Sequence, residues 1–222
     1  KADIVADPIT SALRLDCSRV HCSRQLLHRG PGGLTVTPRS RITVFMRAVD
    51  VPGSEVRRRH RSGCFVMPNP FDVGSARVLE QIGFPALAST SAGLAWTLGC
   101  ADNQITLDDT LAHLRAIAGA TRVPVNADFE GAYAVEPDQV ATNVSLVIAT
   151  GVAGLSVEDS TGDDVDPLYE FDLAVERIRA ARQAIDKSGT DVVLTGRSEG
   201  FVRGRPDIDE TIRRLGAYAE AG

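Results

Sequence analysis

Cysteine is scarce in this chain: four in 222 residues, at Cys17, Cys22, Cys64 and Cys100. They are too few and too unevenly spaced for a secreted disulfide framework, which points to a reducing compartment. Long apolar runs are missing as well. Nothing approaches the roughly 18 consecutive apolar residues of a membrane span, and residues 1–10 lack the apolar core of a secretory signal, so a cytoplasmic location is expected, with no membrane partner. No glycine-rich phosphate loop follows the first candidate strand. Cys17, His21, Cys22 and His28 do not reproduce a recurrent zinc-ligand spacing, and no second pair follows, so they are read as free side chains. Cys100 is read as a packing residue.

Charge is unevenly shared. Residues 1–62 hold 12 Lys+Arg against 5 Asp+Glu, whereas residues 63–222 hold 12 against 24, for an overall net charge of −5. The basic residues are scattered singly except for the run from Arg57 to Arg61, with no helical stripe and no interleaved aromatics, so nucleic acid is not an expected partner.

Residues 1–62 show no sustained period of 2 or 3.6 and carry the breaker Gly30-Pro31-Gly32-Gly33; an irregular basic segment is expected there. From residue 63 the texture changes. Strand-like and helix-like stretches alternate with a repeat of about thirty residues, the length of a βα unit. Candidate strands are residues 64–67, 86–90, 123–128, 154–159 and 192–195. Candidate helices begin at Ser75, after Thr106 (with Asp109 three residues on), near Pro137, at a cap by Asp172 and at a cap by Asp207. The helix after Asp172 shows an apolar face of Leu173, Val175, Ile178 and Ile185 with its arginines toward water; the last helix shows Ile208, Ile212, Leu215 and Tyr218. The stretch 91–93 is read as a small-residue loop. Five successive units predict an α/β fold with a parallel sheet and right-handed crossovers, a (β/α) barrel in preference to a doubly wound open sheet.

Acids recur where strands end. Val125-Asn126-Ala127-Asp128 stops at Asp128 and Glu130, spaced one residue apart, and Leu155-Ser156-Val157 stops at Glu158 and Asp159. Carboxylates on one side of a buried strand end need a cation and suit a hard divalent ion such as Mg2+ or Mn2+; the competing reading is a solvated strand end. Because such barrels carry their chemistry at the C-terminal ends of the strands, Asp72, Ser91 to Gly93, Asp102, Asp128, Glu130, Glu158, Arg197 and Glu199 are expected to gather there.

With those residues in view, residues 63–222 resemble the isocitrate lyase/phosphoenolpyruvate mutase superfamily, in particular its small carboxyphosphonoenolpyruvate phosphonomutase-like members. The matching stretches are Asn69-Pro70-Phe71-Asp72-Val73-Gly74-Ser75-Ala76, Thr90-Ser91-Ala92-Gly93, Leu98-Gly99-Cys100-Ala101-Asp102, Val125 to Glu130, Gly151 to Asp159, and Leu194-Thr195-Gly196-Arg197-Ser198-Glu199. The resemblance implies a (β/α)8 TIM barrel, a homo-oligomer of dimers that exchange their last helix, and a Mg2+ (or Mn2+) ion beside a small 2-oxo acid or phosphonate. It implies Asp128 as direct metal ligand, Asp102, Glu130 and Glu158 as acids holding the ion's water shell, and Ser91, Ala92 and Gly93 as the segment that binds the substrate's carboxylate and oxyanion. It also implies Arg197 as the grip on a substrate carboxylate, with Ser91 and Arg197 taking part in catalysis. The implied activity is lyase-type, C–C or P–C cleavage through a metal-stabilised enolate.

Two departures shape that expectation. The superfamily's lyases carry a Lys-Arg-Cys-Gly-His signature after the fourth strand, with Cys as acid/base. Here the loop reads Glu158-Asp159-Ser160-Thr161-Gly162-Asp163-Asp164-Val165-Asp166-Pro167, which disfavours cleavage of isocitrate or methylisocitrate and leaves decarboxylation or hydrolysis of an oxaloacetate-like or phosphonate-like 2-oxo acid. The sequence also stops after the fifth βα unit, so the alternative expectation is a truncated, non-catalytic barrel fragment.

Overall fold

A computed structural model of the chain describes residues 53–61 and 63–222, all within one compact unit. The expectations for residues 1–52, including the group Cys17, His21, Cys22 and His28, lie outside the described residues. Four parallel strands, β1 (Leu87–Ala88), β2 (Val125–Asp128), β3 (Gly154–Glu158) and β4 (Val193–Arg197), pair in the order β1-β2-β3-β4. Each crossover returns to the next neighbouring position without reversing direction across the sheet. That is how a barrel wall is wound, whereas a doubly wound sheet reverses at a switch point.

Seven helices are described: α1 (Gly53–His60), α2 (Val73–Ile82), α3 (Ser91–Thr97), α4 (Leu107–Ala120), α5 (Pro137–Ile148), α6 (Phe171–Ser188) and α7 (Ile208–Ala221). Several starts follow local chemistry. Asp72 and Ser75 form a reciprocal capping box on α2, Thr106 and Asp109 do the same on α4, Pro137 occupies the first turn of α5, and Asp207 accepts from the Glu210 N–H on α7. The core lies between β3, buried along its whole length, and the helices beside it. Leu155 and Val157 meet Val140, Val144 and Val147 of α5 and Ala174, Ile178, Ala181 and Ile185 of α6. Each such Val, Leu or Ile side chain contributes about 1.5–3 kcal/mol by leaving water.

Several expectations are corrected. Residues 64–67 form no strand, so the described sheet has four strands in place of five. Pro68 and Pro70 supply no N–H to a ladder, and only the Pro68 carbonyl is used, by the Ala88 N–H at 3.1 Å. Residues 91–93 are not a loop but the first turn of α3, because Thr90 caps it by accepting from the Gly93 N–H. Asp172 is not the cap of α6: the helix starts one residue earlier, and Asp172 sits in its first turn, where a negative charge suits the helix dipole.

The arginines of α6 do not all face water, since Arg177 is 1% exposed. On α7 the apolar residues Ile208, Ile212 and Leu215 are exposed, and the helix instead buries Arg214 and Tyr218. The reason is Asp159, whose carboxylate accepts from both and turns that side inward.

Helix α1 falls inside the stretch expected to be irregular. The N–H groups of its first turn at Gly53 and Ser54, which have no partner within the helix, are satisfied by the carboxylate of Asp191, at 2.9 and 2.6 Å, just before β4. A Cβ at residue 53 would lie 1.9 Å from the Asp191 carbonyl oxygen, so only glycine permits this approach. The basic run it carries is partly neutralised at home, Glu55 pairing with Arg58 and Arg59. No described helix is long and apolar enough to cross a membrane.

A cleft of about 520 Å3 opens between the start of α2, α3 and α4, with His113 beside Phe71, Asp72, Leu94 and Leu98. Burial lowers the His113 pKa, and the Asp72 charge offsets only part of this. A lowered folded-state pKa means stability that is present above the ordinary histidine pKa of about 6.5 and is lost as pH falls through the folded value. Urea midpoints are therefore expected to show a loss on acidification below pH 6.5 that His113→Gln removes. Identical pH profiles for the two proteins would contradict this.

Candidate active site

The parallel register sets the site. Asp128 pairs with Ser156, and Glu158, two residues on, lies opposite Arg197. The C-terminal ends of β2, β3 and β4 therefore present Asp128, Glu158 and Arg197 side by side. Arg197 donates Nη1 to Asp128 at 3.0 Å, Nη2 to Glu158 at 2.7 Å and Nε to Glu199 at 2.7 Å. The ion pair with Glu199 that local spacing allows is thus present, as one of three. A guanidinium has five N–H donors, so two remain on the terminal nitrogens. From the neighbouring β1 end, Ser91 donates both its backbone N–H and its Oγ to the other Asp128 oxygen, each at 3.0 Å, while Ser89 Oγ accepts the Asp128 N–H.

Glu130 follows β2 in a turn with φ of 46°. It is buried, and its Oε1 has no hydrogen-bond partner. Burial, then the charges of Asp128 and Asp102, push its pKa up to about 7. Glu158 is also pushed up to about 7, first by burial, with Arg197 opposing and Glu199 adding to the shift. Burial works against the charge of Arg197, but the Glu199 hydrogen bond and the charges of Glu158 and Asp128 outweigh it and raise its pKa.

Asp102 is exposed at the rim, where its Oδ1 accepts the Asn103 N–H. Asp72 lies elsewhere, at the start of α2. A cavity of about 270 Å3 adjoins the acids, lined by Glu130, Glu158, Tyr133, Ser160, Thr161 and Tyr169. The loop after β3 closes on itself through a bridge between Ser160 and Leu168.

The donor set fits a hard divalent cation. It offers carboxylate oxygens only, and one of them is a buried orphan. Among the described residues no three His, Cys, Asp or Glu converge as direct ligands.

By sequence alone the three residues that support the site have no such role: Asp159 reads only as an acid ending a strand, and Arg177 as facing water. Asp159 accepts the Glu199 N–H at 2.8 Å and so fixes one of the partners of Arg197. Arg177 and Asn143 contact the carbonyls of the turn that carries Glu130. Their signal was helical phase: residue 177 falls in step with 174, 178 and 181, and residue 143 with 140, 144 and 147, all buried positions.

A singly wound parallel (β/α) barrel wall with clustered acids, an arginine and a serine at its strand C-termini places these groups at the end where barrel folds carry their sites. The chain belongs to the phosphoenolpyruvate phosphomutase family, whose model matches residues 56–222. It is 32% identical over 156 residues to the 2-methylisocitrate lyase of Escherichia coli K12, covering 66% of this chain and 51% of that protein. It also resembles the crystal structure of a lyase/mutase from Burkholderia cenocepacia J2315, with a TM-score of 0.76, 41% identity, and coverage of 79% of this chain and 63% of that one. A phosphonopyruvate hydrolase solved with oxalate and Mg2+ gives a TM-score of 0.71 at 25% identity, over 77% of this chain and 60% of the other. The chain spans between 51 and 60% of the length of the curated relatives it matches.

Proposed function

We propose that the site binds Mg2+ or Mn2+ together with a small 2-oxo acid or phosphonate and cleaves a C–C or P–C bond next to the oxo group. The observation that carries this reading is the buried, unpartnered Glu130 oxygen beside Asp128 and Glu158, a concentration of negative charge that one arginine only partly balances. Asp128 would hold the ion directly, and Asp102, Glu130 and Glu158 would hold its waters. A divalent ion at such a site supplies Lewis acidity to the oxygen on which charge develops.

The chain's own groups do the rest. Arg197, braced by three carboxylates, presents its two remaining donors to a substrate carboxylate, a planar match that Lys would not provide. Ser91, now hydrogen-bonded twice to Asp128, is the donor that a substrate oxygen would take over, with the Ala92 N–H in the first turn of α3 next to it and the Gly93 N–H held by the Thr90 cap. The cavity of about 270 Å3 beside Glu130 and Glu158 suits a small substrate. The loop after β3 provides Ser160 and Thr161 but no Lys, Cys or His, which favours decarboxylation or hydrolysis over a route needing a thiol acid.

Calorimetric titration with Mn2+, with and without oxalate, tests this reading. The wild-type chain is expected to bind Mn2+, to bind oxalate only with Mn2+ present, and to lose both by about 100-fold or more in Asp128→Ala. A folded wild-type chain that binds neither would overturn the enzyme reading in favour of a non-catalytic barrel.

A further inference from the structure

The turn that carries Glu130 is held in a backbone form that its residues do not favour. Glu130, Ala132 and Tyr133 all have left-handed φ, at 46°, 57° and 54°, and none is glycine. A run of this kind persists only where surroundings impose it. Its consecutive carbonyls are all engaged. The Glu130 carbonyl accepts the Glu158 N–H at 3.0 Å. Arg177, from α6, donates Nη2 to the Gly131 carbonyl at 2.5 Å and Nη1 to the carbonyls of Ala134 and Val135, the latter at 2.9 Å. Asn143, from α5, donates Nδ2 to the Ala132 carbonyl at 2.8 Å and to that of Tyr133 at 3.4 Å. Gln139 fixes the Asn143 amide by donating to its Oδ1, and the Tyr169 ring lies 3.9 Å from the Arg177 guanidinium carbon.

Arg177 forms no carboxylate salt bridge among the described residues; its positive charge is spent on backbone carbonyls. We propose that Arg177 is the positioning residue of the acidic half of the site, its guanidinium serving as a built-in cation that gathers the carbonyls of residues 131, 134 and 135 and thereby fixes the turn that carries the buried Glu130 carboxylate. Asn143 completes the clamp. The fork geometry is the point: a guanidinium reaches carbonyls on two sides at once, whereas an ammonium is a single compact donor centre. The proposal rests on the metal-site reading above for its consequence, but the holding of the turn is independent of any metal.

The test uses the full chain with Arg177→Lys, and Asn143→Ala in case the first variant does not fold. Hydrogen–deuterium exchange without metal reads the turn itself. Exchange is expected to rise about tenfold or more in residues 129–135, while β3 and β4 stay protected. Mn2+ titration reads the consequence, with affinity expected to fall about tenfold or more in Arg177→Lys and less in Asn143→Ala, the size seen when groups that orient ligands are removed.

A purely structural role would raise exchange everywhere in proportion to lost stability and leave the affinity of the folded fraction unchanged. A folded Arg177→Lys protein with wild-type Mn2+ affinity, or with unchanged exchange in the turn, would overturn the proposal. Absence of Mn2+ binding by the wild type would instead overturn the proposed function, with the exchange result still deciding whether Arg177 holds the turn.

Discussion

Replacing Asp159 with alanine is expected to lower the unfolding free energy by about 3–5 kcal/mol, the cost of leaving a buried charge and its donors without their acceptor. Asp159 is 3% exposed and stands just past β3. Its Oδ1 accepts the Glu199 N–H at 2.8 Å; its Oδ2 accepts the Tyr218 hydroxyl at 2.7 Å and Arg214 Nη1 at 3.3 Å. Its backbone is used too, the N–H donating to the Arg197 carbonyl and the carbonyl accepting from Tyr169. One carboxylate therefore joins the loop after β4 to the buried side of α7. Tyr218→Phe, which removes one donor and leaves the charge pair intact, is expected to cost only about 1 kcal/mol. Urea unfolding of the three proteins checks the order. An Asp159→Ala protein within 1 kcal/mol of wild type would contradict the buried-charge argument.

Arg197→Ala is expected to split the two binding functions of the site. Oxalate affinity in the presence of Mn2+ should fall roughly 100-fold, in the range for truncating one member of a hydrogen-bonded charge pair. Mn2+ affinity should hold or tighten, because the guanidinium competes with the ion for Asp128 and Glu158. Arg197→Lys should recover only part of the oxalate loss, lacking the fork. Titration of each ligand separately checks the split, and a parallel loss of both would mean that Arg197 serves mainly to hold the acids together.

Much of this architecture was legible in the chain because its signals are local. The apolar stretches ending in Asp128, Glu158 and Arg197 mark β2, β3 and β4, and the cap pairs at Thr106 and Asp207 mark two helix starts, whereas Asp72, read as a site acid, caps α2. What escaped depends on partners far along the chain. The burial of Arg177 follows from carbonyls more than forty residues away, and α1 takes its N-terminal cap from Asp191. The inward side of α7 follows from Asp159, against the pull of its own apolar residues. Residues 64–67 read as a strand by composition, yet the two prolines behind them leave no ladder to join.

The tie between α1 and Asp191 also bears on the order of assembly. It joins residues 137 and 138 positions apart, whereas each strand pairs with a neighbour only a few tens of residues away. The sheet can therefore zip up through short loops, and the receptor for α1 exists only once β4 has been added. Docking of α1 is expected on the late, native side of the folding barrier. Its contacts then govern how long the folded molecule persists and have little influence on how quickly it forms.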